Sequence, residues 1–358
     1  MSARDYRKVG RVISNLYDIQ PAAPSFVEGS LEGSRIASLP ILVIAIHSQC
    51  NCRCEMCDIW KRKDGRETQA ADLERHRESI HSLGVKNVVL TGGEPLMNRD
   101  LDAICAFFRD LNVRISLLTT GLLLKKKVDL VAAYIDDIFL SLDGPAEIHE
   151  RVRRVAGAFE TIHQGVTAVR ERRPEMPITC RTTVQKLNHR HLRATVSAAR
   201  SLGASKISFL AADVSSSAFN REDHWGPDRQ GEVALNAGDL AALDEEIELL
   251  IETHRGDIES GFIAESGPKL RRIAEHFRKH LEGTQPKSPI CNAPWVSAMV
   301  EVDGSVRPCF FHAPIGNMQQ LPLAEAINTE TALSFRSRLN IETDPTCQRC
   351  VCSLNYRA

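Results

Sequence analysis

No apolar run in the 358-residue chain approaches the roughly 18 residues that a membrane-spanning helix needs. The first ten residues, Met1 to Gly10, are charged and lack the apolar stretch of a secretory signal. Net charge is only −1, so no basic excess points to a nucleic acid partner. Internal repeats and low-complexity tracts are also missing. What remains is an ordinary globular composition, 43% hydrophobic and 25% charged, long enough for one large α/β domain and a smaller one. Its simplest location is a reducing cytoplasm, with no membrane involved. Disulfides are rare there, so the eleven cysteines call for another explanation.

Nine of the eleven fall into two groups. Cys105 and Cys180 stand alone in apolar surroundings and read as small buried hydrophobes. The front group, Cys50, Cys52, Cys54 and Cys57, directly follows the apolar run Ile41–Ile46. Cys50, Cys54 and Cys57 have the spacing C-x3-C-x2-C, and thiolates this dense at a strand end suit an iron–sulfur cluster. Structural zinc sites instead pair two C-x2-C units a dozen or more residues apart. Cys52 lies too close to both neighbours to share one metal with them and reads as a bystander. A four-iron cluster held by three cysteines keeps one iron open for another ligand. The back group is Cys291, Cys309, Cys347, Cys350 and Cys352. Two separated pairs there fit tetrahedral zinc and a cluster equally well by spacing.

Between the groups, β-branched runs alternate with amphipathic stretches. Strands are expected at Ile41–Ile46, Asn87–Leu90, Val113–Thr119, Asp137–Leu142, Ile178–Val184 and Lys206–Leu210. Helices are expected near Ala71–Leu83, Leu101–Leu111, Lys125–Tyr134, Ala158–Arg172 and His191–Leu202. This rhythm means a parallel sheet with right-handed crossovers, as a partial barrel or an open sheet, active at the C-terminal ends of its strands. The boundaries that follow are an N-terminal helix (about Tyr6–Tyr17) and covering loop over 1–40 and a barrel over 41–212. An insertion with linking helices spans 213–288, and a terminal unit 289–358. The polar stretch Asp213–Asn236, with Phe219, His224 and Trp225, is a candidate substrate wall. Helices are expected at Asp239–His254, Lys269–Leu281 and Leu323–Arg338. Asp303-Gly304 joins two alternating runs, Val296–Val302 and Val306–Phe311, as a hairpin.

The C-x3-C-x2-C loop, continued by Asp58-Ile59-Trp60-Lys61, resembles the signature of the radical SAM superfamily. Met56 stands where relatives often carry an aromatic residue. Thr91-Gly92-Gly93-Glu94-Pro95 resembles the family's GGE motif, whose glycines allow close backbone approach and whose segment holds the amino group of S-adenosylmethionine (SAM). Ser141-Leu142-Asp143-Gly144-Pro145, then His149, Arg153, Gly157 and Phe159, looks like a strand-four segment of relatives with an extra iron–sulfur domain. By this likeness Gly92, Gly93, Glu94, Ser141, Asp143 and Arg153 are candidate SAM contacts, while Arg181, on strand five, is placed to meet the SAM carboxylate or the substrate or to form a buried ion pair. Thr120 has a lining role, because Thr119-Thr120-Gly121 lacks the asparagine of the usual T-N-G.

At the other end, Cys291-Asn292-Ala293-Pro294, Gly304 to Cys309 and Gly316-Asn317 look like the extensions called SPASM and its shorter form, twitch. The cysteine count favours one auxiliary cluster on Cys291, Cys309, Cys347 and Cys350, with Cys352 able to replace Cys350. The resemblance implies a partial (β/α)6 TIM-like barrel with a small C-terminal α+β auxiliary-cluster domain. Its cofactors would be a 4Fe–4S cluster carrying SAM and one auxiliary 4Fe–4S cluster. A flavodoxin or ferredoxin would donate the electron that cleaves SAM to a 5′-deoxyadenosyl radical. The expected reaction is oxidation of a small molecule, with the saturated auxiliary cluster as electron acceptor. Only about 40 residues precede the first strand, which leans away from a leader-dependent peptide substrate. Peptide modification is the second possibility; a non-catalytic redox sensor is the third, disfavoured because it needs no SAM site.

Metal content tests this reading: anaerobically reconstituted protein should carry about eight irons per chain, and a Cys50/Cys54/Cys57→Ala variant about four. About four irons with zinc in the parent would place zinc at the back site.

Overall fold

A computed structural model describes residues 34–221 and 224–357. The predicted helix at Tyr6–Tyr17 lies outside the described residues. Six parallel strands follow one another around the sheet: β1 (Ile41–His47), β2 (Asn87–Gly92), β3 (Arg114–Thr119), β4 (Asp137–Ser141), β5 (Ile178–Val184) and β6 (Lys206–Ala211). Sequential order with every neighbour parallel is the topology of a partial (β/α)6 barrel. Alternation along the strands sorts the side chains. In β5, Ile178, Cys180, Thr182 and Val184 are buried, while Thr179, Arg181 and Thr183 are half-exposed. The buried set packs under the crossover helices, whose apolar faces (Leu101, Ile104, Cys105 and Phe108 in Leu101–Asp110) complete the core. Cys105 and Cys180 are fully buried, and burial pushes both thiols up to about 12, as befits packing residues.

Several elements depart from the sequence expectations. The hairpin strands are shorter, β7 (Ser297–Val300) and β8 (Ser305–Arg307), since Pro308 has no N–H to continue the ladder. A further strand, β9 (Gly316–Asn317), pairs with β8. The hairpin does not stand apart: β7 runs parallel to β1, from Ile41↔Ser297 to Ile44↔Val300, giving one nine-stranded sheet. The expected helix Leu323–Arg338 is two, Leu323–Ala326 and Glu330–Arg338. Between them the Asn328 amide bonds Ile36 N–H at 2.9 Å and Ile36 C=O at 2.8 Å, and the Thr329 hydroxyl caps the second helix. The polar insertion contains a helix, Pro227–Val233, and an unanticipated helix, Ala146–Arg153, follows β4.

The tight point of the fold lies where β1 and β2 end. Their register slips between Ala45 and His47, and the chains then stay joined through Gly93 N–H to His47 C=O (2.8 Å) and Glu94 N–H to Gln49 C=O (2.9 Å). A Cβ on Gly92, whose φ is +127°, would lie 2.4 Å from His47 O; one on Gly93 would lie 1.9 Å from Gln49 O. The two glycines give room to the backbone of the cysteine loop itself. Gly93→Ala should therefore displace that loop. The expected result is loss of about half the iron, roughly four of about eight per chain, with the back site still loaded. Full iron content in that variant would show that the loop tolerates the displacement.

Candidate functional site

From Ser48 to Asp58 the front loop has no helix or strand, and several of its backbone groups are met by other elements. The new helix Ala146–Arg153 ends against it: Arg53 N–H donates to Arg153 C=O (3.1 Å) and Glu55 N–H to Val152 C=O (3.3 Å). Arg153 turns its guanidinium inward, giving Nε to Asp143 Oδ2 at 2.6 Å and Nη1 to Cys54 Sγ at 3.5 Å. Burial opposes the Arg153 charge, but Asp143 and the thiols outweigh it and hold the proton more firmly than usual. Asp143 also accepts from Thr183 N–H (3.1 Å), and its own N–H donates to His149 Nδ1 (3.2 Å). Burial pulls His149 down to about 4, so the ring is neutral. Asp143 and Arg153, expected as SAM contacts, thus form a buried pair braced beneath Cys54.

The thiols share one environment. A hydrogen bond from Cys52 lowers Cys54 to about 7 against the cost of burial, and Arg153 acts in the same direction. Cys57 is pushed up to about 12 by burial and by the neighbouring Cys54 and Cys50 charges, while Ile59 N–H donates to its sulfur at 3.5 Å. Hydrogen bonds to Cys50 and then Cys54, together with burial, raise Cys52 strongly, so it stays a thiol between two potential thiolates. Three sulfurs, with guanidinium and amide donors directed at two of them, form a donor set that fits an iron–sulfur cluster.

Beside the loop, Glu94 is completely buried. Its carboxylate accepts from Thr119 Oγ1 (2.7 Å), Thr120 N–H (2.7 Å) and Leu96 N–H (3.0 Å), none of them cationic. Burial raises its pKa despite these bonds, so a cation beside it would be well matched. The Thr120 hydroxyl meets Asn51 Oδ1 at 3.0 Å, tying strand three to the cysteine loop. Ser141 and Arg181 are register partners on β4 and β5, both half-exposed. Arg181 stacks 5.9 Å from the Phe139 ring, and its charge is felt by the buried Glu265, which accepts from Ser208 Oγ (2.7 Å) and Phe209 N–H (2.8 Å).

The back cysteines also gather. Burial raises Cys309 to about 11, and charges on Cys291 and Cys352 add to this, while the backbone at Phe311 and His312 hydrogen-bonds its sulfur. Burial likewise raises Cys350, which feels Cys352, Cys291 and Cys309. Cys347, raised by burial and by Asp344, feels Cys309 and Cys291. Cys291 and Cys309 influence both Cys347 and Cys350, so the back group supplies the four thiols a closed cluster needs. Cys350 and Cys352 occupy the same neighbourhood.

Sequence reasoning missed how the insertion serves the site. Its Phe219 C=O accepts from Asp58 N–H (3.3 Å), and its ring packs edge-to-face on Phe311 at 6.1 Å, two residues from Cys309. Phe219 and Asn220 both take left-handed backbone conformations, φ 61° and 62°, which non-glycine residues adopt only when their surroundings hold them. Arg221 holds them: its guanidinium bonds Asp213 Oδ2 (2.6 Å) and Met56 C=O (3.2 Å) and stacks 3.8 Å from the Trp225 ring centroid. Trp225, expected in a substrate wall, is buried and donates Nε1–H to Asp58 at 2.8 Å. It is a buttress for the front loop. Arg154 and Arg229 both clamp Glu55, another pairing that sequence spacing did not disclose.

Comparison with known proteins agrees with this geometry. The Radical SAM superfamily model matches residues 44–199, and that of the SPASM iron–sulfur cluster-binding domain matches residues 291–351. The chain is similar to an AdoMet-dependent heme synthase of Methanosarcina barkeri, 31% identical over 160 residues, 43% of this chain and 45% of the relative. It therefore spans less than half of that relative's length. It is also similar to the pre-heme d1 synthase of Dinoroseobacter shibae, 24% identical over 89% of this chain and 78% of the relative. Among solved structures, Streptococcus suis SuiB bound to its precursor peptide SuiA superposes with a TM-score of 0.63 at 15% identity, covering 98% of this chain and 83% of SuiB, a likeness of fold. The chain belongs to the radical SAM superfamily and carries a C-terminal SPASM-type iron–sulfur cluster-binding domain.

Proposed function

We propose that this protein is a radical SAM enzyme that oxidises a small molecule held between its two cysteine sites. The observation that carries the reading is the Phe219 bridge, which touches the front loop at Asp58 and the back segment at Phe311. The two cysteine segments are therefore joined through one residue. With its clusters loaded, the front site supplies a 5′-deoxyadenosyl radical from SAM upon one-electron reduction by a flavodoxin- or ferredoxin-type donor. Cys50, Cys54 and Cys57 hold that cluster, and Arg153 stabilises the Cys54 thiolate.

Glu94 receives the SAM ammonium group, whose charge offsets the cost of the buried carboxylate. Gly92 and Gly93 fix Glu94 by locking its segment to the cysteine loop, and Thr120 orients the carboxylate. Ser141, at the end of β4, and its register partner Arg181 on β5, both half-exposed, face the SAM ribose and carboxylate or the substrate. Asp143 acts through Arg153. Net oxidation there would remove a hydrogen atom, a proton and an electron from the substrate, and a loaded auxiliary site would supply the electron acceptor. Cys291, Cys309, Cys347 and Cys350 hold that site closed, so it takes electrons without binding substrate. Relatives named for heme-type products, one of them aligned over 89% of this chain, favour a small molecule over a peptide. Among the described residues no helix is long and apolar enough to cross a membrane; we place the enzyme in the cytoplasm.

Anaerobic reconstitution with SAM and dithionite should yield 5′-deoxyadenosine. Cys50→Ala should abolish it, while Cys309→Ala should retain it. No 5′-deoxyadenosine from protein with intact clusters would sink the enzyme reading and leave the redox sensor.

A further inference from the structure

The back thiols are not all met by the same kind of donor. Backbone groups at Leu354 and Ala293 face Cys291, and those at Phe311 and His312 face Cys309, while the Cys350 thiol donates to the Cys352 carbonyl. Around Cys347 the neighbours are side chains. The Nε2 atom of His312 lies 3.4 Å from its sulfur and 3.7 Å from the Asp344 carboxylate, and the three groups converge within 4.8 Å of one another. That carboxylate places a negative charge where a Cys347 thiolate would form.

The ring is held in this position. His312 is buried, its ring packs edge-to-face on Phe335 at 4.9 Å, and its carbonyl accepts from Arg307 Nη1 at 2.9 Å. Asp344 is fixed too, since its Oδ1 caps the short helix Pro345–Gln348 through Cys347 N–H at 2.9 Å. With its proton on Nε2, the imidazole directs an N–H at sulfur from a preset position. No spacing rule marks His312, because it lies three residues from Cys309 but serves the more distant Cys347.

We propose that His312 is a positioning residue of the auxiliary site: it donates a hydrogen bond to the Cys347 thiolate and raises the reduction potential of the cluster there. A donor on a ligand sulfur withdraws electron density and favours the reduced form. It thereby gives Cys347 a side-chain donor held in place by its own packing. This inference rests on the two-cluster reading above, in which the auxiliary site must accept an electron.

The test uses the full chain with Cys50, Cys54 and Cys57 all changed to Ala, so that any iron signal comes from the back site. Redox titration followed by electron paramagnetic resonance would compare this parent with His312→Phe and His312→Gln versions. The expected result is about four irons in all three, a lower potential in His312→Phe, and partial return in His312→Gln, whose amide is also a donor. An unchanged potential in His312→Phe would overturn the proposal. Iron lost from both His312 variants would overturn it as well, by making His312 a ligand or a structural prop. Zinc or no metal in the parent would instead defeat the two-cluster reading, and the proposal with it.

Discussion

Cys52 and Cys54 are buried in a loop whose backbone, from Ser48 to Asp58, makes neither helix nor strand. Buried peptide groups and thiols outside regular structure must find partners elsewhere, and most of the features at the site supply them. The segment just after strand two contributes Gly93 and Glu94 from one side. The helix after strand four contributes its last carbonyls and Arg153 from below. The segment after strand six closes the far end through Phe219, Arg221 and Trp225. Three strand ends converge on one irregular loop, as barrel architecture brings them to a common face.

The same economy explains the conformational costs. Gly92 at positive φ, and Phe219 and Asn220 in the left-handed region, occur where the chain must reach the loop. Strain of this kind, of order 1–3 kcal/mol per non-glycine residue, persists because Arg221 is bonded on several sides at once. Charge follows a parallel logic. Arg153 and Arg221 are buried cations, each paired with a buried aspartate, an arrangement that holds geometry more than it adds stability. Their value lies in keeping the front loop in place.

The continuity of the sheet joins the two cysteine groups. Because β7 lies against β1, the strand that delivers the front loop and the strand between Cys291 and Cys309 are hydrogen-bonded neighbours. A second link crosses through Phe219 and Phe311. The domain boundary expected near residue 289 therefore separates sequence motifs, whereas the hydrogen-bonded sheet runs across it. The oxidative chemistry proposed above depends on that proximity, since an electron acceptor must lie near the space where substrate sits.

Strand and helix periodicity, the C-x3-C-x2-C spacing and the Gly-Gly-Glu segment were legible without coordinates because each is local. Alternating β-branched runs build strands, and cysteines a few residues apart reach a common centre whatever surrounds them. Other features were not legible. The break at Asn328 serves Ile36, a residue far away in the chain, and the helix Ala146–Arg153 is too short and polar to announce itself. Arg153 and Asp143 looked like ligand contacts from their motif, but only packing shows that Arg153 bonds both Asp143 and Cys54. The pairing of Glu55 with two arginines, the bridge of Phe219 to Phe311 and the His312 ring beside Cys347 share a physical reason for staying hidden: each joins residues separated in sequence, through contacts that leave no period or spacing to read. Chain chemistry alone determined which atoms can bind a cluster; tertiary structure decided what surrounds their sulfurs.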